Sequence, residues 1–194
     1  MLKKKLKDFK IILASGSPRR QQFFNDLDLD FEIRLKEIEE LFPDTLQGVE
    51  ITNYLAELKA KAFENEIASN EILVTSDTIV WLNNRALGKP KDYNDAFEIL
   101  KCLSNTTHEV ITSVCFKTSD KTETIHDVTK VSFTTLSDDE IRYYLDHYKP
   151  FDKAGAYGIQ EWIGLIGITK IEGSYTNVVG LPTEKVYQYL STFN

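Results

Sequence analysis

Apolar positions along this chain follow two rhythms, one of strands and one of helices. Ile11-Ile12-Leu13-Ala14 is a short, fully apolar run, which suits a buried strand. It stops at Ser15-Gly16-Ser17-Pro18. Pro18 fits a first helical position with Ser17 as N-cap, so a helix is expected through Phe23, Phe24 and Leu27. Residues 31–38 alternate apolar and polar, as a half-exposed strand does. Residues 52–67 place Tyr54, Leu55, Leu58, Ala62 and Phe63 at helical spacing. Ile72-Leu73-Val74 and Ile79-Val80-Trp81-Leu82 form a second strand region that ends in an Asn83-Asn84 turn. Asp92 caps a predicted helix through Phe97, Leu100 and Leu103. Residues 110–116 and 124–133 read as paired strands about Ser119-Asp120-Lys121. Ser137 and Glu140 make a capping box ahead of a helix over 141–148. Residues 163–171 read as a strand and Gly173-Ser174 as a turn. Pro182 opens a last helix through Val186, Tyr189 and Leu190.

Strands and helices alternate, with a hairpin in the middle. That pattern predicts an α/β fold with a mixed sheet. There is no internal repeat or low-complexity linker, and 194 residues suit one domain with a sizeable core. Hydrophobic content of 42% and charged content of 27% are ordinary for a globular protein. The basic start, Met1-Leu-Lys-Lys-Lys-Leu-Lys, lacks the apolar stretch of a signal peptide and reads as a solvated extension over residues 1–9. No apolar run approaches a membrane span, so the expectation is no membrane and a cytoplasmic location. The formal charge of -7 argues against coating nucleic acid, although a locally basic pocket for a small polyanion is compatible with it. Cys102 and Cys115 form neither a disulfide framework nor a zinc motif, and both are expected to be buried thiols.

Five clusters have the composition of a reactive site. In Ser15-Gly16-Ser17-Pro18-Arg19-Arg20 a strand ends and a helix begins with two arginines in its first turn. Those charges oppose the helix dipole unless an anion sits between them, where Arg can grip phosphate oxygens. The same residues also suit an ordinary solvated helix start. Thr75-Ser76-Asp77-Thr78 interrupts an apolar strand region, where a carboxylate is costly unless paired, metal-bound or at a cleft. Asp77 is therefore the leading single candidate, with a simple turn as the alternative. Gly88-Lys89-Pro90 holds one lysine between backbone-restricting residues, and equally suits a surface turn. Asp152-Lys153-Ala154-Gly155-Ala156-Tyr157-Gly158-Ile159-Gln160 crowds small residues into a loop, for close approach of a ligand or for tight packing. Glu37-Ile38-Glu39-Glu40 is a carboxylate cluster that could hold Mg²⁺ or Mn²⁺, or be solvated surface. His108, His126 and His147 show no metal-ligand spacing. Cations for phosphates and carboxylates for a divalent metal are the parts that phosphoryl chemistry uses.

In this order the clusters resemble the Maf family of nucleotide pyrophosphatases, also called septum-formation inhibitor proteins. The resemblance rests on LASGSPRR at 13–20, SDT at 76–78, GKP at 88–90, DKAGAYGIQ at 152–160 and EGSYTNVVGLP at 172–182. It implies a Maf/inosine-triphosphatase-like α/β fold, a mixed sheet flanked by helices with two lobes around a cleft, and a homodimer. The implied activity is hydrolysis of dTTP and UTP to the nucleoside monophosphate and pyrophosphate, with a divalent metal cation, Mg²⁺ or Mn²⁺. Asp77 matches the family's proton acceptor and Glu40 a carboxylate near the metal, with Asp77 as the second metal candidate. Ser15, Arg19, Arg20, Lys59, Thr78, Lys89, Lys153 and Gln160 are the implied substrate contacts. Arg19, Thr78 and Gln160 fall at the positions that divide a dTTP/UTP subgroup from one for 7-methyl-GTP. The alternatives are a nucleotide-binding cell-division regulator with little catalysis, and a pyrophosphatase for modified purine nucleotides such as 7-methyl-GTP or dITP. Two departures from the common pattern are Thr75-Ser76 in place of Gly-Ala, and Glu161-Trp162 in place of a glycine-containing stretch.

Overall fold

A computed structural model describes residues 2–193. The described residues begin with a one-turn helix, α1 (Leu2–Lys5), which corrects the expectation of a solvated extension. Leu2 and Leu6 lie one helical turn apart and are both buried in a core cluster, while Lys3, Lys4 and Lys5 face solvent. The basic composition describes only one side of this segment.

Then follow β1 (Lys10–Leu13), α2 (Pro18–Asp26), β2 (Phe31–Ile33), α3 (Val49–Lys61), β3 (Glu71–Leu82) and β4 (Arg85–Leu87). Next come α4 (Tyr93–Leu103), β5 (Thr107–Lys117), β6 (Thr122–Phe133) and α5 (Asp138–Tyr148). A 3₁₀ turn at Ala154–Ala156 precedes α6 (Trp162–Gly167), β7 (Ile168–Glu172), α7 (Tyr175–Val179) and α8 (Thr183–Leu190). The sheet is seven-stranded and mixed, in the order β2-β1-β3-β5-β6-β7, with β4 paired to β3. β1 pairs in parallel with both β2 and β3, while β3–β4 and β6–β7 are antiparallel.

Two compact units emerge along the chain. One holds the residues up to Asp77, Thr112–Asp127 and those from Gly180 onward. The other holds Thr78–Ile111 and Val128–Val179. β3, β5 and β6 contribute residues to both.

In the first unit, strand alternation sorts the core into two faces. Ile11, Leu13, Ile72, Val74, Val114 and Phe116 bury against Phe24 of α2 and Leu181, Val186 and Leu190. Ile12, Leu73 and Cys115 bury on the opposite face, against Ala56, Ala60 and Phe63. Apolar side chains are needed at successive positions because both faces are covered. In the second unit, Ala96, Leu100 and Leu103 of α4 and Ile141, Tyr144 and Leu145 of α5 are buried, as are Val110, Val131 and Phe133 of the strands. The Ser137–Glu140 capping box forms as expected, and the Asp92 side chain accepts from the Asp95 N–H. Among the described residues no helix is long and apolar enough to cross a membrane.

Several expectations need correction. The strand expected over 31–38 stops at Ile33, where its pairing with β1 ends at the Leu13–Ile33 pair. The helix expected over 52–67 instead spans Val49–Lys61. The strand expected over 163–171 is α6 followed by the shorter β7. Ile163 is buried while Leu165 is 81% exposed, and the Gly164 and Leu165 N–H groups donate to the Glu161 carbonyl, at 2.9 and 3.4 Å. A short apolar run does not separate helix from strand by itself. Cys115 is buried, but Cys102 is exposed because it lies off the buried stripe of Ala96, Leu100 and Leu103 on α4.

Candidate active site

The polar patch Thr75-Ser76-Asp77-Thr78 is not a turn: β3 runs straight through it. Strand parity then decides where each side chain goes. Leu73 packs on the α3 face, and Thr75, two residues on, donates its hydroxyl to the Ala56 carbonyl of α3 at 2.7 Å. Asp77 continues the same parity. Lys59 lies one helical turn beyond Ala56, and its ammonium reaches Asp77 Oδ1 at 2.6 Å. The pair is largely shielded, with side-chain exposures of 14% for Lys59 and 9% for Asp77. The same ammonium lies 2.9 Å from Glu40 Oε1, contributed by the irregular segment after β2. It also donates to the Ser76 carbonyl at 3.4 Å. Two carboxylates from distant parts of the sequence thus converge on one cation.

The arginine-bearing start of α2 belongs to the same unit. Arg20 donates through Nε to the Gly180 carbonyl at 2.9 Å, and through Nη1 to the Ser76 carbonyl at 3.1 Å and Ser15 Oγ at 3.4 Å. Ser15 is buried; its Oγ accepts from the Ser17 N–H and its carbonyl from Gln21. Burial lowers the Arg20 guanidinium pKa from its ordinary value, and the nearby Asp77 carboxylate opposes that shift; Arg19 lowers it further and Glu40 opposes. Arg20 is therefore electrostatically joined to Asp77, Arg19 and Glu40. Ser17 makes no side-chain cap bond and the first turn of α2 has no acidic residue, which suits an approaching anion. Ser15, Arg19, Arg20, Glu40, Lys59 and Asp77 are thus brought together in the first unit.

Thr78, Lys89, Lys153 and Gln160 lie in the second unit. Thr78 is partly buried on β3, while Lys89 and Gln160 are exposed. The Gly155 N–H donates to the Gly88 carbonyl at 3.1 Å, which staples the Lys89 turn to the segment carrying Lys153. The crowding of small residues in that segment follows from packing. Gly155 has φ +70°, and a Cβ there would come within 2.6 Å of Val80 Cγ2. A Cβ on Gly158 would lie 2.8 Å from Glu161 Cδ. Lys153 is flanked by Asp152 Oδ1 at 2.8 Å and Glu161 Oε1 at 3.1 Å.

Sequence reasoning missed two groups here. Glu161 was visible only as a departure from a pattern, yet its carboxylate accepts from the Tyr144 hydroxyl as well as pairing with Lys153. His108 is buried with Nε2 2.8 Å from the Tyr157 hydroxyl, and burial pushes its pKa down to about 4. No local signal announces either contact, since each joins residues far apart in sequence.

Comparison with known proteins bears on this arrangement. A family model described as "Maf-like protein" matches residues 10–193. A dTTP/UTP pyrophosphatase from Flavobacterium psychrophilum is 74% identical over 190 residues, covering 98% of this chain and 97% of that protein. One from Flavobacterium johnsoniae is 71% identical over 192 residues, covering 99% of each chain. One from Christiangramia forsetii is 53% identical over 190 residues, covering 98% of this chain and 97% of that protein. Among solved structures, a HAM1 protein from Coxiella burnetii aligns with a TM-score of 0.51 at 16% identity, covering 95% of this chain and 99% of that one, a likeness of fold alone.

Proposed function

The chain belongs to the Maf-like protein family, and from that premise we propose that it is a nucleoside triphosphate pyrophosphatase acting on dTTP and UTP. The observation that carries the reaction type is the convergence of Asp77 and Glu40 on Lys59 beside Arg20. The names of the 74% and 71% identical relatives supply the substrate class.

In the proposed reaction the oxygen of a water attacks the α-phosphorus, and the bond from that phosphorus to the α–β bridging oxygen breaks. The nucleoside monophosphate and pyrophosphate leave. Asp77 accepts the proton of the attacking water on its carboxylate. Lys59 fixes the direction of that carboxylate through the 2.6 Å contact to Oδ1. Arg19 and Arg20, at the start of α2, offset the charge of the triphosphate and of the departing pyrophosphate. Ser15 accepts a hydrogen bond from Arg20 and helps to hold it. Lys89 and Lys153 add further positive charge for the phosphates, and Thr78 and Gln160 supply hydrogen bonds that suit a pyrimidine base.

The acidic pair also fits Mg²⁺ or Mn²⁺. Hard cations take oxygen ligands, and Mg²⁺ is commonly held by one or two carboxylates with phosphates and waters completing its shell. Glu40 and Asp77 already meet at one cationic point, the Lys59 ammonium, and would hold such an ion. When bound, it would polarise the phosphate and acidify water. A homodimer, on the family resemblance, and a cytoplasmic location complete the proposal; a dimeric mass in light scattering is the expected result.

A turnover series over dTTP, UTP, CTP, dITP and 7-methyl-GTP tests the reading, with pyrophosphate release as the readout. Turnover is expected to be fastest for dTTP and UTP. Preference for a purine nucleotide, or nucleotide binding with no pyrophosphate released under any divalent cation, would overturn it.

A further inference from the structure

We propose that Glu161 is a positioning residue that fixes Lys153 for the triphosphate; this rests on the pyrophosphatase reading above. Lys153 has two carboxylate neighbours of different character. Asp152 is adjacent in sequence and its side chain is 62% exposed, which makes for a weak and screened pair. Glu161 is 24% exposed and anchored from several directions. Its second oxygen accepts from the hydroxyl of Tyr144, a fully buried residue of α5. That hydroxyl in turn accepts from the Gly158 N–H at 3.0 Å. The Glu161 N–H donates to the Gly158 carbonyl at 3.0 Å and starts α6. The carboxylate occupies the space that a Cβ on Gly158 would need.

Together these contacts make a rigid bracket. α5 holds Tyr144, Tyr144 holds Glu161 and Gly158, and Glu161 holds the Lys153 ammonium. Burial, then the Glu161 carboxylate, pushes the Tyr144 phenol well above its ordinary range, so it stays protonated and acts as the donor. A lysine stem has large rotamer freedom, and ordering it before substrate arrives removes that cost from binding. Glu161 touches no reacting atom in this scheme. It acts through Lys153, so its effect belongs in substrate affinity.

The opposite role is also physically coherent: a carboxylate beside Lys153 could compete with phosphate for it. The two roles differ in sign. Steady-state kinetics of dTTP hydrolysis on Glu161→Ala, Lys153→Ala and the double variant separate them, with melting curves to confirm folding. Positioning predicts that Glu161→Ala raises KM about tenfold with kcat within about threefold. In the Lys153→Ala background the same change should move KM by less than about twofold, because its target is gone. Glu161→Gln keeps an acceptor for Tyr144 but loses the charge; it should raise KM less than Glu161→Ala, and it serves if the alanine variant fails to fold. An unchanged or lowered KM in either Glu161 variant, or a full multiplicative effect without Lys153, would overturn the proposal. A wild-type chain that releases no pyrophosphate from dTTP or UTP would remove the pyrophosphatase reading and this one together. An active wild type beside unaltered Glu161 variants would remove only this one.

Discussion

The ammonium of Lys59 lies 2.6 Å from Asp77 Oδ1, and both side chains are mostly shielded from water. Asp77→Asn keeps the size of the side chain but removes the proton acceptor. The expected result is a fall in kcat of at least about a hundredfold with KM little changed. Pyrophosphate release measured with saturating dTTP checks it, and a variant retaining most of its turnover would show that Asp77 is not the base.

Removing the other partner has a different consequence. Lys59→Met leaves Asp77 and Glu40 without the cation they share. Breaking a shielded pair from one side costs up to about 3 kcal/mol, and the nearby Arg20 guanidinium offsets part of that loss at Asp77. Lys59→Met is therefore expected to unfold at clearly lower urea, and Lys59→Met/Asp77→Asn at higher urea than Lys59→Met alone. Additive losses in the double variant would mean that the contact carries little of the stability.

What the sequence disclosed, and what it did not, follows from the range of each interaction. β1 and the Ser137–Glu140 cap were legible because the residues that make them are neighbours in the chain. Asp77 stood out because a carboxylate interrupts an apolar strand. Its partner could have been inferred only by combining two periodicities: odd positions of β3 face α3, and Lys59 follows Ala56 by a turn. Lys59 itself entered through family resemblance. α6 misled because a short, mostly apolar run of six residues fits a strand equally well; what fixes the helix is the backbone bonding to the Glu161 carbonyl. The bracket around Lys153 was invisible because Tyr144 and Glu161 lie on either side of a loop.

Ser76 shows the cost of one departure from the family pattern. Its carbonyl accepts from Arg20 and Lys59, but its Oγ is buried without a hydrogen-bond partner among the described residues. Ser76→Ala leaves the carbonyl in place and removes the hydroxyl. A gain of about 1 kcal/mol is expected from relieving an unsatisfied polar group, with turnover retained. Urea unfolding measures it, and a destabilised variant would show that the hydroxyl is satisfied in solution.

His108 predicts a pH dependence. Its folded-state pKa is depressed by burial to about 4, from the ordinary histidine value of about 6.5. The unfolded chain therefore binds the proton more readily between those values, and stability falls as pH drops through that window. The full effect is about 3 kcal/mol, present above pH 6.5 and lost by about pH 4. Asp and Glu titration overlaps the lower half of this range, so the informative interval is its upper half. His108→Gln, which can still bond to Tyr157, should flatten the stability profile there; an unaltered slope would place the titrating group elsewhere.

Two glycines near the second group of basic residues should respond to very different degrees. Gly155 combines a φ of +70° with a Cβ position 2.6 Å from Val80 Cγ2 and 3.0 Å from Val80 Cβ. Alanine there meets both backbone strain and the stem of a buried side chain, so the 152–160 segment must shift. Gly88, whose carbonyl accepts from the Gly155 N–H, has nothing within 4 Å of its Cβ position. Gly155→Ala is expected to cost about 2 kcal/mol or more. Gly88→Ala should fall within about 0.5 kcal/mol of the parent. If Gly155→Ala displaces Lys153 as well, its KM for dTTP should rise while that of Gly88→Ala does not. Chemical unfolding and steady-state kinetics on the two variants decide the matter; equal effects at both positions would mean that close packing against Val80 does not set this segment.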